Sequence, residues 1–290
     1  MDFLVAALYG IVEGITEWLP ISSTGHLILL NNLVPLNVSP EFWEMFEVVI
    51  QLGAILAVFL LYFKNIWPLK FKESKHGKGK KLVFSKDILW LWLKIIIACI
   101  PAAIVGLKFD DFFEEHFHNP LSVAISLIVV GIIFIIVEVF KNRKNDTDKE
   151  LKEDIKDIMI KDAIIIGIFQ LIAAMFPGVS RSGATIIGGL LLGLSRSNAA
   201  QFTFYLGIPT MFGASLLKLY KFYKETGFAM TQSELIILVV GMIVSFVVSI
   251  GVIKMLMGYI KKHDFKVFGI YRIILGIAII TLLFTTSIFA

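Results

Sequence analysis

The sequence predicts an all-α integral membrane protein with six transmembrane helices, two re-entrant helical hairpins and an inverted-topology repeat. Of its 290 residues, 57% are hydrophobic and only 17% are charged, which is too little charge for the surface of a soluble domain of this size. Six apolar segments are long enough to cross a bilayer, which takes about 20 residues. Two further apolar stretches are interrupted by proline and small polar residues, at matching places in two similar halves of the chain.

The six predicted spans are continuous apolar runs that end at polar or charged residues. They cover residues 42–63, 87–108, 120–140, 198–220, 234–257 and 267–288. The interrupted stretches are 3–34, which breaks at Pro20, and 159–194, which breaks at Pro177. Each half of these stretches has about 12–17 residues, too few to cross the membrane alone, and this favours a re-entrant hairpin.

The two halves of the chain resemble each other around the breaks. Residues 10–13 (GIVE) align with residues 167–170 (GIFQ), and Pro20 then falls on Pro177. Because a hairpin followed by three spans crosses the membrane an odd number of times, the second copy has the opposite orientation. We therefore predict a single membrane domain (1–290) made of a first repeat, a cytoplasmic linker and a second repeat, at 1–140, 141–158 and 159–290.

Short loops rich in lysine and arginine predict the cytoplasmic side of the membrane. The loop 64–86 has eight lysines and one acidic residue, whereas the loop 109–119 has four acidic residues and no lysine or arginine. The linker 141–161 and the loop after residue 260 fit the same alternation. Both termini are then expected outside, with the first hairpin entering from outside and the second from the cytoplasm. Since the net charge of +4 comes from such loops, no nucleic-acid partner is expected.

Two glutamates, Glu13 and Glu17, lie within the first apolar stretch. Ionisable side chains at membrane depth are costly and indicate functional sites. Residues four apart share one helix face, about 5–6 Å apart at Cβ, so the two carboxylates repel unless a cation binds or one stays protonated. We therefore predict a site for a divalent cation, Mg²⁺ or Ca²⁺, since both prefer carboxylate oxygens. The alternative is an interfacial helix on which both glutamates are solvated.

The first break continues as Ser22, Ser23, Thr24, Gly25 and His26. A serine N-cap explains one hydroxyl, but capping requires neither the other hydroxyls nor the histidine. A serine or threonine beside a histidine can form a nucleophile–base pair, and a histidine can itself accept a phosphoryl group. Attack by Ser23, by His26 or by a cation-bound water all stay open at this point.

The second break continues as SRSGAT (180–185) and opens a helix. The free N–H groups at a helix start favour an anion, and Arg181 in apolar surroundings needs a negative partner. That partner is either Glu17 or a substrate phosphate, whose oxygens match the guanidinium fork.

Two carboxylates, several hydroxyls, a histidine and an arginine suit phosphoryl transfer, because cation and arginine neutralise the phosphate oxygens during attack. The chain has no Walker A run, so nucleotide hydrolysis is not expected. A site within the bilayer implies a substrate with a lipid tail. The competing hypothesis is a transporter or flippase of a lipid phosphate, because inverted repeats with paired hairpins are typical of transporters.

Four stretches resemble the bacterial undecaprenyl-diphosphatases, also called bacitracin-resistance proteins, and the resemblance extends over essentially the whole chain. They are EGITEWLPISSTGH (13–26), PGVSRSGAT (177–185), FEVVIQLGAILAV (46–58) and YRIILG (271–276). The resemblance implies a multi-pass protein of the bacterial inner (plasma) membrane with an outward-facing site. It also implies removal of the terminal phosphate from undecaprenyl diphosphate, which recycles the cell-wall lipid carrier, and a divalent cation as cofactor.

The resemblance assigns roles to residues of the two breaks. Glu13 and Glu17 are implied as cation ligands. The implied catalytic residues are Glu17, Ser23, His26 and Arg181, and the implied substrate-binding residues are Ser22, Thr24, Ser180, Ser182, Thr185 and Arg272. Gln201 departs from the family, whose members commonly carry a charged residue there, which puts a peripheral contact in doubt. The expected partners are a polyprenyl diphosphate lipid and the bilayer, and a homodimer stays open.

Overall fold

The computed structural model describes residues 2–73, 80–144, 152 and 154–285, and the chain is helical over most of this length. The helices are α1 (Asp2–Thr16), α2 (Ser23–Leu33), α3 (Pro40–Val49), α4 (Gln51–Ile66), α5 (Lys86–Phe117), α6 (Pro120–Lys144), α7 (Ile160–Met175), α8 (Arg181–Leu191), α9 (Arg196–Thr226), α10 (Gln232–Ile260) and α11 (Lys266–Thr285). Strands β1 (Leu69–Glu73) and β2 (Lys80–Phe84) pair antiparallel, and a short 3₁₀ turn covers Ile155–Asp157.

The six predicted spans are confirmed as helices long and apolar enough to cross a membrane. Among the described residues these are Pro40–Ile66, Lys86–Phe109, Pro120–Lys141, Arg196–Thr226, Gln232–Ile260 and Lys266–Thr285. The first consists of α3 and α4, which meet at Ile50, and the last three residues of the sixth predicted span lie outside the described part of the chain. The chain is therefore an all-α membrane protein in outline.

Side-chain caps explain where several helices begin and end. Ser39 accepts a hydrogen bond from the backbone N–H of Phe42 at the start of α3, and Ser195 accepts one from the backbone N–H of Asn198 at the start of α9. Thr231 and Glu234 form a reciprocal capping box at the start of α10. At the end of α9, Gly227 adopts a left-handed conformation with φ 65°, which glycine allows without strain.

One local prediction was wrong, and one local feature was not predicted. The acidic stretch 109–119 is not a loop throughout, because α5 continues to Phe117. Its aromatic side chains stabilise the extension, since the ring of Phe117 lies 5.0 Å from that of Phe176 at the second break. The lysine-rich loop 64–86 contains the hairpin β1–β2, which was not predicted. Its alternation of lysines with Leu69 and Phe71 is typical of a strand with one polar face.

The bundle consists mainly of closely packed helix pairs. Helix α1 runs parallel to α10, α7 runs parallel to α5, and α6 runs antiparallel to α11. Each pair has a glycine at its closest approach: a Cβ on Gly10, Gly167 or Gly131 would lie only 2.5–2.7 Å from a backbone oxygen of the facing helix. Small residues at such crossings let backbones approach, which stabilises helix pairs within a membrane.

The two interrupted stretches fold back on themselves and bring their breaks together. Helix α2 returns along α1, where the Tyr9 hydroxyl donates hydrogen bonds near the end of α2, to Asn31 or the carbonyl of Val34. Helix α8 packs against α7 and α9 in the same way. The breaks, at residues 17–22 and 176–180, therefore meet inside the bundle, where Trp18 is fully buried with its ring 5.2 Å from that of Phe204.

We predict that Gly53→Ala destabilises the protein, because the new methyl group would overlap the backbone carbonyl of Met242 where α4 crosses α10. Overpacking of this kind costs about 1–3 kcal/mol, so the thermal unfolding midpoint in detergent should fall by about 5 °C or more. Gly251→Ala is the matched control, because nothing lies within 4 Å of its added methyl group. Equal midpoints for the two variants would contradict the close crossing.

Candidate active site

Matching serine caps open the two helices that follow the breaks. Ser22 precedes α2 with φ 74°, and Ser180 precedes α8 with φ 71°. Each serine side chain accepts a hydrogen bond from the backbone N–H three residues later, that of Gly25 or Gly183. A non-glycine residue at positive φ costs about 1–3 kcal/mol and is typical of functional sites. Two helices, α2 and α8, thus begin at the point where the breaks meet.

Arg272 on α11 joins the two breaks. Its guanidinium donates hydrogen bonds to the carbonyl oxygen of Pro20 at 3.0 Å, and to those of Gly178 at 2.7 Å and Val179 at 2.8 Å. The side chain is fully buried. The resemblance implied that Arg272 binds substrate, but its hydrogen bonds in the structure go to backbone carbonyls. Arg272 therefore holds in place the loops that carry the predicted site residues.

Glu17 is the hub of the side-chain contacts. One carboxylate oxygen lies 2.6 Å from Nη2 of Arg181, and the other accepts a hydrogen bond from the Ser23 hydroxyl at 2.7 Å. The backbone carbonyl of Glu17 accepts a further hydrogen bond from the Ser182 hydroxyl at 3.1 Å. Arg181 also donates to the carbonyl of Thr203 on α9. Of the two partners considered for Arg181, the structure contains the carboxylate.

Glu13 lies one turn before Glu17 and has no comparable partner. Its carbonyl accepts the N–H of Glu17 at 3.0 Å, so both residues stay on one helical face. The Glu13 side chain is fully buried, and neither carboxylate oxygen has a hydrogen-bond partner in the described part of the chain. Burying an unpaired carboxylate is very unfavourable, so this site calls for a cation or a proton.

The donor atoms around Glu13 fit a divalent cation that is completed by substrate and water. Within the described residues, no group of three His, Cys, Asp or Glu side chains could hold a metal. Mg²⁺ commonly uses only one or two carboxylates together with phosphate oxygens and water. The unpartnered oxygens of Glu13, next to Glu17, match that requirement.

His26 and Ser23 are not hydrogen-bonded to each other. The Nδ1 atom of His26 lies 2.7 Å from the carbonyl oxygen of Ser22, which makes Nδ1 the protonated nitrogen. Its Nε2 atom then carries no proton and accepts a hydrogen bond from the Tyr271 hydroxyl at 2.7 Å. The structure thus brings Ser23 to Glu17 and His26 to Tyr271, whereas the sequence had suggested a Ser23–His26 pair.

The remaining predicted substrate residues have different surroundings. Thr185 is buried and its hydroxyl lies 2.9 Å from that of Thr203, while the hydroxyls of Ser180 and Ser182 lie 3.1 Å apart. Thr24, by contrast, borders a cavity of about 180 Å³ next to the breaks. Other polar side chains also line this cavity, and none of them was among the predicted site residues: Glu47, Gln51, His118 and Lys218.

A signal for some of these lining residues was present in the sequence. Glu47 and Lys218 are charged residues within spanning helices, a placement that indicates a buried site or a wet cavity. Thr203 carried no such signal, because a threonine in an apolar helix is common and its contact with Arg181 depends on how α8 packs on α9.

Comparison with known proteins gives one family and close relatives. The chain matches the family model described as bacitracin resistance protein BacA over residues 6–278. It is 54% identical over 280 residues to an undecaprenyl-diphosphatase of Desulfitobacterium hafniense, with 97% of this chain and 95% of that protein covered. An undecaprenyl-diphosphatase of Enterococcus faecalis is 51% identical over 97% of this chain and 96% of its own length. One of Streptococcus thermophilus is 50% identical, with 97% and 93% covered.

We predict that Arg272→Met strongly destabilises the protein, because three backbone carbonyls lose their donors. Each buried unsatisfied group costs about 1–3 kcal/mol, so the thermal unfolding midpoint in detergent should fall by about 5–10 °C. Lys266→Met, at the start of α11, removes only a partly exposed ion pair with Asp264 and should change the midpoint little. A loss no larger for Arg272→Met than for this control would refute the bridging role.

Proposed function

This chain belongs to the bacitracin resistance protein BacA family, and on that premise we propose how its two breaks carry out the reaction. The protein is a membrane phosphatase that hydrolyses undecaprenyl diphosphate to undecaprenyl phosphate and inorganic phosphate, which agrees with the name undecaprenyl-diphosphatase of its relatives. The product is the lipid carrier that cell-wall synthesis uses again. The family's description also indicates that the protein confers resistance to bacitracin.

The observation that carries the mechanism is the buried contact of Glu17 with both Arg181 and Ser23. This contact joins three groups by hydrogen bonds: a carboxylate base (Glu17), a hydroxyl nucleophile (Ser23) and a guanidinium that can bind phosphate (Arg181). Arg181 lies in the first turn of α8, so its guanidinium and the free N–H groups there favour the same anion. We assign the diphosphate to this place, with Thr24 at the neighbouring cavity.

Arg181 then has different partners with and without substrate. In the structure its Nη2 is neutralised by Glu17 at 2.6 Å. A diphosphate carries more negative charge than one carboxylate and offers a bidentate match to guanidinium. Substrate would therefore compete with Glu17 for Arg181, and the freed carboxylate oxygen would become available as a base or as a metal ligand.

Glu13 and Glu17 are the residues we assign to the divalent cation, Mg²⁺ or Ca²⁺. The support is the buried Glu13 carboxylate, both of whose oxygens lack partners within the described residues. When bound, a cation there supplies charge neutralisation to the phosphate oxygens. The chain's own contribution is to hold two carboxylates on one helical turn, next to the arginine that faces the same anion.

Ser23 is the nucleophile we favour over His26. The Ser23 hydroxyl already donates to Glu17 at 2.7 Å, so Glu17 can take its proton as Oγ attacks the terminal phosphorus. The new Oγ–P bond replaces the bond to the bridging oxygen, undecaprenyl phosphate leaves, and water hydrolyses the phosphoserine to inorganic phosphate. Both nitrogens of His26 are engaged, with Ser22 and Tyr271, which argues against His26 as attacking group or base in this arrangement. Attack by water is the remaining alternative.

The finer topology is also part of the proposal: two re-entrant hairpins in inverted repeats at 1–140 and 159–290, joined by a cytoplasmic linker. The parallel pair α1–α10 corresponds to the parallel pair α7–α5, and the caps Ser22 and Ser180 have nearly equal φ angles. With the lysine-rich loops in the cytoplasm of a bacterial cell, both termini and the site opening face outward from the plasma membrane. Much of the linker lies outside the described residues.

We predict that Ser23→Ala and Arg181→Ala each lower kcat for phosphate release from undecaprenyl diphosphate by about 10³-fold or more. His26→Ala should lower it much less, and His116→Ala, at the exposed end of α5, should leave it unchanged. The assay uses purified protein in detergent micelles, where release needs no gradient, so a transporter or flippase would show none. Full activity of Arg181→Ala would refute the proposed site. If His26→Ala were inactive and Ser23→Ala active, His26 and not Ser23 would be the nucleophile.

We predict that a chelator abolishes phosphate release and that added Mg²⁺ or Ca²⁺ restores it. Glu13→Gln keeps the shape of the side chain but removes the unpartnered negative charge, so half-maximal activity should need about tenfold or more cation. Glu41→Gln, on an exposed first turn of α3, is the matched control and should keep the wild-type cation dependence. Cation-independent activity of the wild type would exclude the assigned cofactor.

A further inference from the structure

A second polar cavity lies at the opposite, lysine-rich end of the molecule, away from both breaks. It has a volume of about 470 Å³ and opens between α4, α5 and α9, beneath the hairpin β1–β2 and the 3₁₀ turn. None of the residues around it belongs to the Glu17 site. The side chains that matter for its chemistry are Lys64, Lys70, Lys94, Lys156, Trp90 and Tyr205.

The cavity has more positive than negative charge. Four lysines line it, against the two carboxylates Asp87 and Asp154. Asp87 pairs with Lys156 at 3.0 Å, and Asp154 accepts the backbone N–H of Lys156 as the cap of its own turn. Lys64 and Lys70 form no ion pair with any side chain that the structure describes, so the cavity favours an anion.

Lys94 is the most informative of these lysines because of its depth. It lies eight residues into the span that begins at Lys86, which corresponds to about 12 Å along the helix axis. Its Nζ donates to the backbone carbonyl of Lys156 at 3.1 Å, which is a neutral acceptor. Asp157, Asp162 and Asp154 attract its charge, but within the described residues none of them forms an ion pair with it. A cation at such depth in a spanning helix is costly unless it serves an anionic ligand or reaches the interface.

The cavity also has aromatic and exposed apolar side chains of the kind found at the depth of the lipid headgroups. Trp90 is 54% exposed on the outer side of α5, next to the exposed Leu89 and Leu93. Tyr205 is buried, and its hydroxyl receives a hydrogen bond from Gln201 at 2.5 Å at the wall of the cavity. Tryptophan and tyrosine concentrate at membrane interfaces, and the exposed apolar side chains offer a surface for acyl chains.

We propose that this cavity binds the phosphate group of an anionic membrane lipid in the leaflet on the lysine-rich side. Lys64 and Lys94 contact the phosphate from α4 and α5, Lys70 closes the cavity from β1, and the acyl chains lie along α5 beside Trp90. Basic pockets between spanning helices on the cytoplasmic side are a recurring way to bind such headgroups. Free inorganic phosphate shares the charge but not the acyl chains.

The test measures lipid binding directly, on the full-length protein in detergent micelles by native mass spectrometry. The probes are dioleoyl-phosphatidylglycerol, the zwitterionic dioleoyl-phosphatidylcholine and inorganic phosphate. The variant Lys64→Gln/Lys94→Gln is compared with Lys161→Gln/Lys261→Gln, which removes two exposed lysines from the same end of the molecule without touching the cavity. If the first pair fails to fold, Lys64→Gln alone serves, because Lys64 is exposed in the last turn of α4.

The expected result is one tightly retained phosphatidylglycerol on the wild type, with weaker binding of phosphatidylcholine. The cavity variant should lose about tenfold or more of its affinity for phosphatidylglycerol, and the control about twofold or less. Equal losses in both variants, equal binding of the two lipids, or displacement of the lipid by millimolar phosphate would each overturn the proposal. Because phosphate release is not the readout, this result is independent of the Glu17 mechanism.

Discussion

The structure depends on one buried cation, the guanidinium of Arg272. A membrane offers no water to the carbonyls of an interrupted helix, so each break needs donors from within the protein. Arg272 supplies them to Pro20 in the first break and to Gly178 and Val179 in the second. Because one planar guanidinium donates to both loops, it fixes their relative position. The close crossing of α6 and α11 at Gly131 brings Arg272 deep enough to do so.

Fixing the breaks in this way makes Glu17 a shared residue of both halves. Its carboxylate lies against Ser23 from its own interrupted stretch and against Arg181 from the other. Charges of opposite sign compensate each other here, whereas Glu13, one turn earlier, is buried without a hydrogen bond from the described residues. The site therefore contains one carboxylate that is neutralised, Glu17 with Arg181, and one that is not, Glu13. A bound cation would neutralise Glu13, and a phosphate substrate would bind to Arg181.

Much of the fold follows from patterns that are local in the sequence. Span length and hydropathy predict the six crossing helices, since each depends only on its own residues and on bilayer thickness. The two breaks were also predicted from single residues, Pro20 and Pro177. The hairpin β1–β2 and the continuation of α5 to Phe117 were missed, because charge patterns there suggested loops while cross-strand pairing and contact with Phe176 decided the backbone.

The sequence by itself determined which residues are chemically unusual: carboxylates, hydroxyls and an arginine in apolar surroundings, where only a partner or a function justifies them. Their partners were decided by tertiary structure alone. Ser23 and His26 are near neighbours in the chain, yet the turn at Ser22 directs one to Glu17 and the other to Tyr271, 245 residues away. Likewise Arg272 bonds to backbone carbonyls, because the directions of side chains at a helix break depend on packing across the bundle.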